Sequence, residues 1–246
     1  MKKLNKRDLA ATGIFTAFVA AATMIFSVYV PATKGYFNIG ETMVYTTALL
    51  MGPWIGAFAG GFGSMLADLS LGYPYYAPGT LIIKAMEGFV VGYVFKKGIR
   101  SLSKLYKSII IIAVALILGM IIWRIGTQYY VGGVEFSFGH SIIGYYSTTF
   151  FIPQLFWEAL AIIICISIII FGLFIDLDVS WIIISILLGG AVMIMGYYFY
   201  EYYLLGIGIA ALVEVPINMG QVTIGLIVAI PLYKSILKIL PNLKHV

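Results

Sequence analysis

Residues 72–97, GYPYYAPGTLIIKAMEGFVVGYVFKK, carry the pattern that decides the fold. A loop rich in tyrosine and proline leads into an apolar run, residues 80–95, which ends at two lysines. Apolar runs that approach the ~20 residues needed to cross a bilayer are typical of membrane helices. Within this run stand Lys84 and Glu87, although a charged side chain at membrane depth costs at least ~2.5 kcal/mol on insertion scales. The stretch therefore predicts a membrane helix whose two charges have a partner, a polar cavity or a function.

The composition of the whole chain agrees with that prediction. Of its 246 residues, 62% are hydrophobic and only 10% are charged, whereas soluble domains contain about 25% charged residues. Apolar runs recur over the whole length, so residues 1–246 are predicted to form one integral membrane domain. The first run, residues 9–30, follows the basic segment KKLNKR and is longer than the apolar region of a usual signal peptide. We interpret it as a retained helix.

Basic residues indicate the topology. Twelve of the fifteen lysines and arginines lie in three segments, residues 2–7, 96–107 and 234–244. Because cytoplasmic loops of membrane proteins carry an excess of Lys and Arg, these segments are assigned to the cytoplasm. The chain is thus expected to be a multi-pass protein of the cell membrane with both termini in the cytoplasm. The net charge of +5 is explained by this placement, and no nucleic-acid partner is expected.

From these anchors the apolar runs predict about eight spans in an all-α, polytopic helix bundle. The predicted helices are residues 9–30, 41–51, 54–71, 80–95, 108–124, 149–173, 181–200 and about 205–239. The two helices within residues 41–71 share barely thirty residues, so a re-entrant or steeply packed pair is an alternative there. The segment containing YYVGGVEFSFGHS is predicted to be an outer loop.

Small residues recur at helical spacing. Gly52, Gly56, Gly60 and Ser64 are spaced by four residues, and such a ridge lets two helices approach closely in lipid. Packing is therefore its predicted role, and ligand contact is the alternative. Gly13, Ala17 and Ala21 repeat the pattern on the first helix. That ridge would pack either inside the bundle or against a partner.

Polar side chains gather in the outer half of the predicted bundle. Glu214, Asn218 and Gln221 follow one another at i, i+4 and i+7 and give the last helix a polar stripe. Other ionisable groups stand near the outer ends of their helices or one turn deeper, namely Glu41, Asp68, Lys84 and Glu87. Together they predict a polar cavity that opens toward the outside.

For each of these groups a structural role is an alternative to ligand binding. Lys84 and Glu87 would form a buried ion pair or contact a solute. The stripe on the last helix would form hydrogen bonds between helices or bind a ligand. Tyr73, Tyr75 and Tyr76 would form an interfacial belt or a lid over the cavity.

Few residues offer catalytic or metal chemistry. A single cysteine, Cys165, lies in an apolar run, and the two histidines, His140 and His245, form no pair at helical spacing. No recognisable nucleophile and base pair is present, and no phosphate-binding loop of the G-x-x-x-x-G-K-[ST] type occurs. The chain is therefore not expected to be an enzyme or to hold a metal or cofactor.

Two long stretches resemble a known family. Residues 35–95, GYFNIGETMVYTTALLMGPWIGAFAGGFGSMLADLSLGYPYYAPGTLIIKAMEGFVVGYVF, are similar to the substrate-binding S components of energy-coupling factor (ECF) vitamin transporters. The similarity is particularly to the riboflavin and hydroxymethylpyrimidine group. Residues 196–233, GYYFYEYYLLGIGIAALVEVPINMGQVTIGLIVAIPLY, resemble the end of the same proteins.

The resemblance implies a solute pocket near the outer surface, holding a flavin-like or pyrimidine-like vitamin or precursor. It also implies association with a transmembrane coupling subunit and two cytoplasmic ATPases. Gly13, Ala17 and Ala21 match the small residues with which the first helix of this family docks onto the coupling subunit. The residues expected to bind substrate are Asn38, Glu41, Asp68, Tyr75, Lys84, Glu87, Glu214, Asn218 and Gln221.

One feature departs from the family pattern, because S components usually have six spans. Residues 108–173 are interpreted as two helices inserted into a six-helix core formed by residues 1–107 and 174–246. Two other functions stay open at this point. A facilitator that works alone would give uptake without ATPases, and an intramembrane enzyme would use the acidic groups for proton transfer.

Overall fold

The computed structural model describes residues 6–30, 33–97, 104–140, 144–174 and 177–240. Within these residues lie eight α-helices and four β-strands. The helices are α1 (Lys6–Ile25), α2 (Glu41–Met51), α3 (Pro53–Leu71), α4 (Ala77–Lys97), α5 (Lys104–Tyr129), α6 (Gln154–Phe174), α7 (Leu177–Phe199) and α8 (Glu214–Ile239). The strands are β1 (Ser27–Val30), β2 (Gly35–Asn38), β3 (Gly132–His140) and β4 (Gly144–Ile152). A π-helical turn, Tyr200–Leu204, and a 3₁₀ segment, Gly208–Val213, connect α7 to α8.

Five segments of the described residues are long and apolar enough to cross a membrane, fewer than the eight expected. They are Asp8–Ile25, Ala77–Lys97, Ile111–Tyr129, Val179–Leu204 and Gly208–Ile239, and the apolar stretch Gln154–Ile170 is shorter. The helix α2 has 11 residues, which is about 16 Å at 1.5 Å per residue and too short for a hydrocarbon core of ~30 Å. It ends where Gly52 adopts φ 80°, a backbone conformation that favours glycine, and Pro53 begins α3.

The strands form one antiparallel sheet in the order β2-β1-β3-β4 at one end of the bundle, here called the sheet end. The expectation of one helix over residues 9–30 is wrong in its last part, because α1 ends at Ile25 and Ser27–Val30 is β1. The helix expected from residue 149 is also wrong at its start, since β4 extends to Ile152. In both places β-branched and aromatic residues favour a strand. β1 pairs with β2 and with the distant β3, whereas β4 pairs with the neighbouring β3.

Glycines bring α3 and α4 into close contact. A Cβ added to Gly88 would lie 2.3 Å from the carbonyl oxygen of Gly56, and one added to Gly60 would lie 2.9 Å from the carbonyl oxygen of Lys84. These distances are too short for any side chain, so larger residues would push the helices apart. The predicted packing role is confirmed for Gly56 and Gly60, which set the position of Lys84 against α3. Ser64, at the end of the ridge, lines the cavity described below.

Helices α5 and α6 pack against each other and against α7. Their contact with α7 is a small apolar cluster around Trp181, formed with Ile111, Ala115, Ile168 and Ile184. At the sheet end, Trp157 Nε1 donates a hydrogen bond to the carbonyl oxygen of Tyr130 (2.8 Å), and the Tyr130 hydroxyl donates to the carbonyl oxygen of Val213 (2.5 Å). These two hydrogen bonds join the α5–α6 pair to the segment that precedes α8.

Candidate functional site

A cavity lies at the sheet end, where β2 meets α3, α4, α8 and the π-helical turn after α7. It is lined by Thr23, Gly35, Tyr36, Asn38, Ser64, Asp68, Tyr76, Thr80, Lys84, Tyr197, Glu201, Glu214, Asn218 and Gln221. The lining combines carboxyl, amide and hydroxyl groups with three tyrosine rings. Such a surface suits a polar, ring-containing solute.

Six of the nine expected substrate-binding residues line this cavity, namely Asn38, Asp68, Lys84, Glu214, Asn218 and Gln221. Glu41 and Glu87 are buried beside Lys84 instead. Tyr75 lies outside the cavity with 42% of its surface exposed, and its hydroxyl donates to the carbonyl oxygen of Lys34 (2.8 Å). The neighbouring Tyr76 lines the cavity in its place.

Lys84 is held by two carboxyl groups. Its Nζ contacts Glu41, and it lies 3.1 Å from Glu87 Oε2. The Tyr45 hydroxyl donates to the other oxygen of Glu87 at 2.7 Å. All four side chains are buried, so the ion pair that the spacing of Lys84 and Glu87 suggested is present and is extended by Glu41. These contacts join α2 to α4 behind the cavity.

Asp68 enters the cavity from α3. Its Oδ1 accepts a hydrogen bond from the Tyr36 hydroxyl at 2.5 Å, and the ring of Tyr36 lies 4.6 Å from that of Tyr73. Burial raises the pKa of the Tyr36 phenol well above its ordinary value, and the adjacent Asp68 carboxylate raises it further. Tyr36 therefore stays a hydrogen-bond donor to Asp68.

Glu201 is a lining residue that the sequence reasoning missed. It lies in the π-helical turn and is fully buried. The Tyr76 hydroxyl lies 3.1 Å from Glu201 Oε1 and 3.1 Å from the carbonyl oxygen of Thr33. Burial raises the pKa of the Tyr76 phenol, and the charges of Glu201 and Glu214 add to this effect. The signal available in the sequence was a lone carboxyl within the aromatic run YFYEYY.

The polar stripe of α8 is bonded to the segment around β2. Glu214 accepts a hydrogen bond from the Thr33 hydroxyl at 2.5 Å. Gln221 donates to Asn218 Oδ1 at 2.6 Å and accepts from the backbone N–H of Asn38 at 2.9 Å. These bonds run to Thr33, to β2 and within α8 rather than between helices, which was one of the two expectations for the stripe. The same three side chains also face the cavity.

Three carboxylate oxygens are buried without a hydrogen-bond partner among the described residues. They are Glu41 Oε2, Asp68 Oδ2 and Glu201 Oε2. Nearly all buried polar groups in proteins have a partner, so such atoms call for one. Two of them belong to side chains that line the cavity. The site can thus accept hydrogen bonds from a bound molecule.

The small residues of α1 lie on its surface. Gly13, Ala17 and Ala21 are all exposed, and a Cβ added to Gly13 would meet nothing within 4 Å. The opposite face of α1 packs on α3, where a Cβ on Gly63 would lie 2.7 Å from Val19. Internal packing, one of the two alternatives for this ridge, is therefore not what the structure contains.

Comparisons with known proteins agree with this architecture. A sequence model of the family described as ECF-type riboflavin transporter, S component, matches residues 3–174. The chain is similar to a protein of Pyrococcus woesei named "Uncharacterized protein in gap 3'region", with 40% identity over 103 residues that cover 42% of this chain and 68% of that protein. It is also similar to the thiamine precursor transporter HmpT of Lactococcus lactis subsp. cremoris, with 26% identity over 145 residues that cover 58% of this chain and 78% of the relative. With most of its length matched, the chain belongs to the ECF-type riboflavin transporter S component family, as the resemblance in its sequence had indicated.

Proposed function

We propose that this S component captures a small water-soluble vitamin or vitamin precursor, flavin-like or pyrimidine-like, for ATP-driven uptake. The observation that carries the proposal is the buried cavity at the sheet end, with its three tyrosine rings and its unpartnered carboxylate oxygens. Aromatic walls would supply affinity, and the few polar groups would fix orientation. The family match and the similarity to a thiamine precursor transporter support the same substrate class.

The sheet end is proposed to face the outside of the cell, with both termini in the cytoplasm. Lysines at the other end of the bundle support this orientation. Lys96 and Lys97 end α4, and Lys234 and Lys238 lie in the last turns of α8. An excess of basic residues is typical of the cytoplasmic side, so the cavity would meet its solute from outside.

Energy for uptake is proposed to come from partners, a transmembrane coupling subunit and two cytoplasmic ATPases. The exposed ridge of Gly13, Ala17 and Ala21 would be the surface that meets the coupling subunit, because small residues allow close helix approach in lipid. The chain itself is proposed to have no enzymatic activity.

A bulky side chain on that ridge tests the docking surface. We expect Ala17→Trp to abolish co-purification with the coupling subunit and uptake in cells, while ligand affinity of the purified chain stays unchanged. The matched control is Ala113→Trp, at another exposed alanine on α5, which should leave all three measurements unchanged. Normal uptake by Ala17→Trp would remove the ridge from the docking surface.

Residues 108–173 are proposed to be an addition to a six-helix core of residues 1–107 and 174–246. In support, every residue that lines the cavity belongs to the core ranges. The added segment contributes most of α5, all but the last residue of α6, and the strands β3 and β4. β3 pairs with β1, so the added strands extend the sheet formed by β1 and β2.

The function as a whole is tested by binding and by uptake. Purified protein should bind a member of a panel of flavins, pyrimidines and thiamine-related compounds, as detected by native mass spectrometry. Uptake should require the partner ATPases. Uptake that survives inactive ATPases would instead identify a facilitator that works alone, and conversion of the compound would identify an enzyme.

A further inference from the structure

We infer that the solute is an organic cation rich in N–H donors, such as a protonated amino-substituted heterocycle, and that it binds between Asp68 and Glu201. A neutral flavin does not fit this description. The inference rests on the proposed function and deepens it by naming the substrate class.

Acidic groups outnumber basic groups around the cavity. Five buried carboxyl groups surround the cavity or lie just behind it, and a single buried lysine faces them. These carboxyl groups are Glu41, Asp68, Glu87, Glu201 and Glu214. The ammonium group of Lys84 is engaged by Glu41 and Glu87. Among the described residues the other three carboxyl groups have no basic partner within salt-bridge distance, so the cavity can accommodate added positive charge.

Two carboxyl groups of the cavity are only partly hydrogen-bonded. Asp68 and Glu201 are each bonded at one oxygen by a tyrosine hydroxyl, from Tyr36 and Tyr76 respectively. The remaining oxygen of each carboxyl group, Asp68 Oδ2 and Glu201 Oε2, is buried without a hydrogen bond in the described part of the chain, although the Thr80 hydroxyl also interacts with the Asp68 carboxyl group. Two acceptors are therefore presented from two different elements, α3 and the π-helical turn. A ligand with two or more N–H donors would satisfy both.

Aromatic rings form part of the cavity wall. Tyr36, Tyr76 and Tyr197 all face the cavity. The Lys84 Nζ already lies 5.7 Å from the centroid of the Tyr197 ring, within the range of a cation–π contact. A flat cationic ring would find both an aromatic surface and acceptor oxygens here.

Two other kinds of cation fit less well. No group of three or more His, Cys, Asp and Glu side chains in the described ranges has the arrangement to hold a metal ion. A quaternary ammonium would make cation–π contacts but would leave both carboxylate oxygens without a donor. The geometry thus favours a cation that donates hydrogen bonds.

The test is equilibrium binding to the purified full-length chain by isothermal titration calorimetry. The ligands are 4-amino-5-hydroxymethyl-2-methylpyrimidine, its 4-oxo analogue and riboflavin. The oxo analogue lacks the amino donor and the ring basicity of the first compound, and it carries a single N–H donor on a ring nitrogen. We expect the amino compound to bind at least 100-fold more tightly than the oxo analogue and more tightly than riboflavin.

Variants assign the effect to the two carboxyl groups. Asp68→Asn and Glu201→Gln keep the size of each side chain, and each should weaken binding of the amino compound at least tenfold. The control is Glu158→Gln on α6, where the carboxyl bonds to Gln154 (2.8 Å) outside the cavity, and it should bind as the parent does. Melting temperatures measured alongside show that each variant is folded.

The possible outcomes separate the inference from the function on which it rests. If riboflavin or the oxo analogue binds as tightly as the amino compound, the cationic substrate class is overturned while the vitamin-binding function stands. Equal affinity in Asp68→Asn, Glu201→Gln and the parent would overturn the assigned site. A folded chain that binds none of the three ligands would overturn the proposed function and the inference together.

Discussion

Replacing Lys84 by methionine should destabilise the folded chain strongly. The substitution keeps the length of the side chain but removes the ammonium group that lies between Glu41 and Glu87. These two carboxyl groups are 1% and 0% exposed, so water cannot take its place. Within the described residues, the hydrogen bond from the Tyr45 hydroxyl to Glu87 is what remains to the two carboxyl groups.

The expected magnitude follows from the loss of one partner in a buried ion pair, which costs about 3–5 kcal/mol. For a chain of this size each kcal/mol corresponds to about 2–4 °C in melting temperature, so the decrease should be roughly 6–20 °C. Adding Glu41→Gln and Glu87→Gln to Lys84→Met removes the unpaired charges and should restore much of the loss.

The assay is thermal unfolding of the purified chain in detergent, followed by tryptophan fluorescence. Lys34→Met is the matched control, because Lys34 is exposed and lies outside the cavity lining. It should melt as the parent does. If Lys84→Met melts within the scatter of that control, the three side chains do not form a stabilising unit and the reasoning is refuted.

Two further predictions concern packing and the cavity tyrosines. Gly88→Ala places a Cβ 2.3 Å from the carbonyl oxygen of Gly56 and should cost about 1–3 kcal/mol in thermal unfolding, whereas Gly13→Ala, with nothing within 4 Å, should be neutral or stabilise by up to ~1 kcal/mol. Equal melting of the two variants would contradict the close approach of α3 and α4. Tyr76→Phe removes the hydroxyl that bonds Glu201 and should destabilise by about 1–3 kcal/mol. Because burial raises the pKa of Tyr76, the folded chain holds this proton more tightly than the unfolded chain does, so stability should fall as pH rises above about 10. That fall should be smaller in Tyr76→Phe, and an equal fall in both proteins would argue against burial of this phenol.

The sequence predicted the part of the fold that depends on local signals. The short helix α2 has the bounds that Glu41, Met51 and the following Gly52-Pro53 turn indicated. Glycine and proline end a helix through their own backbone conformation, so the end of this helix can be recognised from the sequence. The ridge from Gly52 to Ser64 was also predictable, because close helix contact in lipid requires small residues at helical spacing.

The sheet joins two local hairpins, β1–β2 and β3–β4, through one contact between distant segments, and the sequence reasoning missed it. Val28 and Tyr29 of β1 pair with Phe138 and Ser137 of β3, more than a hundred residues later. A short apolar run such as SVYV cannot be told from the end of a helix by periodicity alone. In β3 the alternation of GVEFSF with period two was a usable signal.

The site was predicted in outline and missed in detail for a similar reason. Charges at membrane depth identified Asp68, Lys84 and the α8 stripe, because burial of such groups needs an explanation. Whether Tyr75 or Tyr76 faces the cavity depends on the geometry of the turn before α4, and the amino-acid composition does not specify that geometry. Glu201 reaches the cavity through a π-helical turn, and such a local insertion is not visible in a helical pattern.

Mass spectrometry of the solute released from the purified chain tests the central claim most directly. The protein would be produced in cells, purified in detergent without added ligand, and denatured to release what it holds. The account predicts one small heteroaromatic vitamin or precursor in an amount comparable with that of the protein, and its loss from a folded Asp68→Asn/Asn218→Ala variant. An empty chain that also fails to take up any flavin, pyrimidine or thiamine-related compound added afterwards would contradict it, as would a solute retained equally by the variant.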